Sequence, residues 1–97
     1  MTYEYKHLVI DAQAKKVYYL GYEISFSVTE YNMLLLLISS DGGVSSDSFL
    51  NAWGRTVNKG SAKSHVADIN KKAADFGGRK LILWDPTLKK YVLNEYM

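Results

Sequence analysis

The spacing of apolar positions changes twice along the chain. Tyr3 to Ile10, Lys16 to Leu20 and Glu23 to Phe26 are short runs rich in Tyr, Val and Ile, the composition of half-buried strands. Leu20-Gly21-Tyr22 reads as a tight hairpin connection between the second run and the third. An antiparallel sheet of three or four strands is therefore predicted over residues 1–26. Its tyrosines would lay their rings on the core and turn their hydroxyls toward water. A base-stacking platform for single strands is the alternative use of those rings, and the acidic balance of this part of the chain disfavours it.

At Ser27 the period lengthens to that of helices. Ser27-Val28-Thr29-Glu30 is a capping box: the Ser27 hydroxyl accepts from the Glu30 N–H while the Glu30 carboxylate accepts from the Ser27 N–H. The helix behind it is predicted from Val28 to about Ser39, ended by Asp41-Gly42-Gly43. Leu34, Leu35, Leu36, Leu37 and Ile38 cover nearly its whole circumference, so it must be buried on more than one side. Its place is between the N-terminal sheet and the later helices. Val44-Ser45-Ser46 reads as a short extended segment that caps a second helix, Asp47 to Trp53, with Phe49, Leu50 and Trp53 inward.

After a loop over Gly54 to Asn58, a third helix is predicted from Lys59 to Phe76. Ala62, Val66, Ile69, Ala73 and Phe76 form one narrow apolar stripe. Ser61 is placed to cap its start, and Gly77-Gly78 stops it. Arg79 to Trp84 and Lys89 to Leu93 are β-prone runs joined through a turn at Asp85-Pro86-Thr87. The chain is thus read as one α+β domain: a sheet over 1–26, a three-helix core over 27–78 and a hairpin over 79–97.

The 97 residues suffice for one modest core. Cysteine is absent, which rules out a disulfide frame and a thiolate zinc site and fits a reducing cytoplasm. The longest apolar run, Met33 to Ile38, is too short to span a bilayer, and no secretory signal precedes it. A cytoplasmic protein without membrane contact is expected. Phosphate-binding glycine loops are missing, and His7 and His65 with scattered acids make poor metal ligands. No enzyme activity, cofactor, metal or small-molecule substrate is expected.

Charge redirects attention to the third helix. Residues 1–58 hold four basic and six acidic side chains, a balance of −2, whereas residues 59–97 hold eight and four, a balance of +4. The excess positive charge lies where a polyanion would be met. A helix buried through a thin stripe, with Lys63, Ser64, His65, Asn70, Lys71 and Lys72 turned outward, suits a DNA major groove. Lys63, Ser64, His65 and Asn70 are the candidate base contacts: Asn suits adenine, Lys suits guanine or phosphate, and His and Ser suit several bases. Lys59, Ser61, Lys71, Lys72 and Lys80 are candidate phosphate contacts, which set affinity and register without reading sequence.

That order of elements resembles the winged-helix effector domain of OmpR/PhoB-type response regulators over nearly the whole chain. Phe26-Ser27-Val28-Thr29-Glu30-Tyr31 with the Leu run is similar to the family's "L-T-x-x-E-F/Y … L-L-x-x-L". Val44-Ser45-Ser46 with Leu50 and Trp53-Gly54 is similar to "V-V-S-R-x-x-L … V-W-G". Ala62-Lys63-Ser64-His65-Val66 falls where the family writes "V-D-V-H-I", Ile69-Asn70-Lys71-Lys72 where it writes "L-R-K-K", and Tyr91-Val92-Leu93 at "G-Y-R-L". The resemblance implies double-stranded DNA as partner, the third helix in the major groove and the hairpin wing on the adjacent minor groove. It also implies dimers on direct repeats, and a loop before the third helix (Arg55, Thr56, Val57 and Asn58) open to RNA polymerase or another partner.

Two departures bear on that expectation. Where the family offers arginines after the His, this chain has Ala67, Asp68 and Asn70, and alanine has no fork with which to read guanine. The glycine-rich basic wing is replaced by Asp85-Pro86-Thr87-Leu88-Lys89-Lys90, leaving Thr87, Lys89 and Lys90 for groove contact. No phosphorelay receiver can be assembled from the acidic residues, so the chain is expected to be an effector half or a stand-alone winged helix. The rival expectation is a winged helix that has lost specific DNA reading and binds a protein.

Overall fold

The computed structural model describes residues 2–40, 43–45, 48 and 59–96, with residues 59–62 described by backbone alone. The first four strands form one antiparallel meander: β1 (Thr2–Tyr5), β2 (Leu8–Asp11), β3 (Lys16–Tyr19) and β4 (Tyr22–Ile24). The run Tyr3 to Ile10, predicted as a single strand, folds back on itself at Lys6-His7, where Lys6 takes φ +55°. A two-residue turn without glycine or proline gives no compositional signal, which is why the split was hidden. Asp11 makes the next turn by accepting from the Gln13 and Ala14 N–H groups, each at 3.1 Å. Leu20 and Gly21, at φ +55° and +84°, form the two-residue loop between Tyr19 and Tyr22, as two positive φ angles in succession allow.

Alternation along these strands builds one apolar face. Leu8 lies opposite Tyr19, Ile10 opposite Val17 and Val17 opposite Ile24, and all five are buried. On that face sits α1 (Val28–Ile38), started by the expected capping box: Glu30 N–H to Ser27 Oγ at 3.2 Å and Ser27 N–H to Glu30 Oε1 at 2.8 Å. Tyr31, Met33, Leu34 and Leu37 are buried, and Leu35, Leu36 and Ile38 pack half-buried around them. The helix touches β1, a second long helix and the C-terminal hairpin, so its all-round apolar surface is matched by neighbours on several sides.

That second long helix, α2 (Lys59–Asp75), buries Val66, Ile69 and Ala73. It ends in a Schellman motif, with Gly78 N–H bonded to Ala73 O at 3.2 Å and Gly77 N–H to Ala74 O at 2.9 Å; Gly77 supplies the left-handed φ of +77°. Phe76, expected on the buried stripe, stands 42% exposed because the helix stops before it, and its ring tilts against Tyr22 at 6.0 Å. Gly78 is pressed against the Tyr19 ring so closely that a Cβ would overlap it, and the Tyr19 hydroxyl accepts from Arg79 N–H at 3.1 Å.

The chain closes with a hairpin of β5 (Ile82–Asp85) and β6 (Lys90–Leu93). Its strands are shorter than the sequence suggested, because Arg79 to Leu81 form the hairpin's base. Val44 bridges to Tyr91 through two reciprocal backbone bonds of 2.8 Å. Gly43, at φ +94°, passes so near Tyr91 O and Val92 that no side chain fits there. The predicted helix from Asp47 to Trp53 and the loop that follows lie outside the described residues, apart from Ser48, which is helical. Among the described residues no helix is long and apolar enough to cross a membrane.

Candidate nucleic-acid interface

The outward face of α2 is assembled from what the buried stripe leaves over. Lys63, Ser64, Ala67, Asp68 and Lys71 are exposed and His65 is half-buried. Lys80, Lys89 and Lys90 are exposed on the hairpin and its base, as are Thr87 and Leu88 at its tip. Asp85, the acid at the start of this tip, accepts from Thr87 N–H at 2.9 Å and Leu88 N–H at 3.1 Å. Its carboxylate thus closes the turn on which Thr87 and Lys89 are displayed.

Two residues expected at the interface are engaged inside the domain. Asn70 accepts from the N–H groups of Leu81 at 2.9 Å and Ile82 at 3.0 Å, and its Nδ2 donates to Ile82 O at 3.0 Å. It is a clamp on the hairpin's base, and its bidentate edge is not offered to adenine. The position allows this: Asn70 follows Val66 by four residues and precedes Ala73 by three, so it flanks the buried stripe. Asn94 completes the clamp, donating from Nδ2 to Lys80 O and from its backbone to Leu81 O, both at 2.9 Å. The sequence had given Asn94 and Tyr19 no part in placing the hairpin, since their partners lie far along the chain.

Lys72 is the second correction. Its ammonium lies 2.6 Å from Glu30 Oε1 and 5.6 Å from the centroid of the Phe26 ring. A cation so placed neutralises a carboxylate that is only 4% exposed, and it is not a free phosphate clamp. Burial pushes the Glu30 carboxyl upward, but the hydrogen bond from Lys72, the Ser27 N–H and the nearby positive charge outweigh burial and hold it below 4.5. The side chains of Lys59 and Ser61, and all of Arg55, Thr56, Val57 and Asn58, lie outside the described residues. Among the described residues no group of three or more His, Asp or Glu is arranged to hold a metal.

A meander, a buried helix, a second helix with a polar outer face and a terminal hairpin define a winged helix. No family model matches the sequence, and no curated protein matches it either. Solved structures do, and they share the fold of OmpR/PhoB-type effector domains. The DNA-binding domain of the response regulator AdeR, in complex with an intercistronic region, has TM-score 0.82 at 21% identity, covering 94% of this chain and 96% of its own. The RstA DNA-binding domain of Klebsiella pneumoniae, in complex with the RstA box, has TM-score 0.76 at 20% identity, covering 97% of each chain. A mutant of RitR has TM-score 0.83 at 19% identity; the match covers 96% of this chain but 43% of that longer one.

Proposed function

We propose that this domain binds double-stranded DNA in transcription regulation, with α2 in the major groove and the hairpin wing against the adjacent minor groove. The observation that carries the proposal is the display of Lys63, Lys71, Lys80, Lys89 and Lys90, all exposed, on α2 and the wing. The solved relatives of this fold include domains in complex with DNA. On this reading Lys63, Ser64 and His65 meet bases, while Lys71, Lys80, Thr87, Lys89 and Lys90 meet phosphates, joined by Lys59 and Ser61 at the start of α2. Sequence preference comes from fewer groups than the resemblance implied, since Asn70 is engaged and Ala67 lacks a polar end. Dimers on direct repeats and a polymerase contact through Arg55, Thr56, Val57 and Asn58 are part of the proposal on the strength of the resemblance.

The test is a fluorescence-anisotropy titration against random duplex and a selected-pool duplex over a range of salt. Affinity that falls steeply with salt and favours the selected pool supports the proposal. Binding without preference would reduce it to architectural contact, and no binding at low salt would overturn it. A second reading, a winged helix that binds protein in place of DNA, is favoured by the same commitment of Asn70 to the wing.

A further inference from the structure

We propose that the groove between α2 and the wing docks an acidic, amphipathic segment of a protein partner, inserted apolar face first. One wall is α2, where Ala67 and Ala74 reach the surface with nothing beyond a methyl. The other wall is β5, with Leu83 36% exposed and Trp84 48% exposed, and Tyr91 supports the Trp84 ring edge-on at 4.9 Å. The space between is about 650 Å³, a size ordinary for a binding pocket. A half-exposed Trp beside an apolar trough is an unfilled anchor of the kind that dominates interfaces.

Charge selects the occupant. Lys63, Lys71 and Lys80 line the same groove, and no carboxylate is among the residues that line it. Among the described residues none of the three lysines is in an ion pair. A segment with Asp or Glu beside bulky apolar side chains would meet both halves of this surface. A duplex would satisfy the lysines alone, because a stiff rod edged with phosphates has no side chain to send between Ala74 and Trp84. The groove owes its depth to alanines at positions where longer side chains would fill it. Because Lys63, Lys71 and Lys80 also belong to the face proposed for DNA, segment and duplex would compete for it.

The experiment is selection of binders to the whole domain from a displayed library of random helical peptides, followed by titration of the enriched peptides. Enriched sequences should combine acidic residues with Leu, Phe or Trp at helical spacing. Ala74→Glu should weaken them about tenfold or more by placing a carboxylate in the trough, and Lys71→Ala should weaken them and lessen their salt dependence. Both positions are exposed, and an unchanged melting curve shows that the variants fold. Replacing Trp84 by Phe should remove the fluorescence change on binding. Enriched peptides that are basic or lack acids, or acidic ones indifferent to both Ala74→Glu and Ala67→Glu, would overturn the proposal.

Discussion

Lys72 Nζ lies 2.6 Å from Glu30 Oε1 and ties the second half of α2 to the first turn of α1. The same carboxylate oxygen accepts from the Ser27 N–H, so one atom serves both as helix cap and as ion-pair partner. Lys72→Met would leave that buried carboxylate with its cap alone. Because Lys72 is itself 39% exposed, solvent screening keeps the expected loss to about 1–2 kcal/mol, below that of a fully buried pair. Urea unfolding at pH 7 measures it.

The same pair fixes a direction of pH dependence. The Glu30 carboxyl is lower in the folded protein than its reference of 4.5, so its contribution is complete above that value. It is lost as pH falls through the lower, folded pKa. Unfolding midpoints measured from pH 6 down to about pH 3 should show this loss, and Lys72→Met should flatten it. A curve of the same shape in the variant would show that other carboxylates govern acid sensitivity.

Asn70 separates a structural role from a reading role. Asn70→Ala strands the N–H groups of Leu81 and Ile82, residues that are 0% and 1% exposed. A loss of about 2–4 kcal/mol in unfolding free energy is expected. Asn70→Asp keeps the acceptor oxygen and loses the donor to Ile82 O, so its cost should be smaller. If Asn70 read a base instead, stability would hold and only the preference for the selected duplex would fall.

The wing lysines are a test of phosphate contact. Lys89→Ala with Lys90→Ala should weaken binding to all duplexes alike and lower the salt slope by about one unit for each lost contact. Lys15→Ala, in the turn between β2 and β3, should change neither. Anisotropy titrations at several salt concentrations read both quantities together.

Two backbone positions predict opposite signs. Leu20 holds φ +55° in the turn before Gly21, a conformation unfavourable for leucine and accepted by asparagine. Leu20→Asn should raise stability by about 1 kcal/mol. Gly78→Ala should lower it by about 1–3 kcal/mol, because the new methyl overlaps the Tyr19 ring. Thermal melts of the two variants should move in opposite directions.

What the sequence made legible was local. The Ser27–Glu30 box, the Gly77-Gly78 stop and the Leu20-Gly21 turn are set by residues within a few positions of one another, and each formed as expected. The corrections are all long-range or unmarked. Asn70 bonds to residues 11 and 12 positions away and Lys72 to one 42 positions away, distances over which helical spacing carries no information. Both side chains are polar and lie beside the apolar stripe, where a pattern of outward lysines makes them look like surface. The helical period carried on to Phe76 points its ring at the core, but the helix ends one residue earlier, at Asp75.

The paired bonds between Val44 and Tyr91 bear on how the wing moves. Each residue's amide is held by the other's carbonyl, so exchange at either position requires the two segments to separate there. Gly43 is packed against Tyr91 O and Val92 beside this bridge, so the hairpin and the segment at Gly43-Val44 are held together at two successive residues. The amides of Val44 and Tyr91 should accordingly show the same protection against exchange, set by the wing and the Gly43-Val44 segment coming apart together.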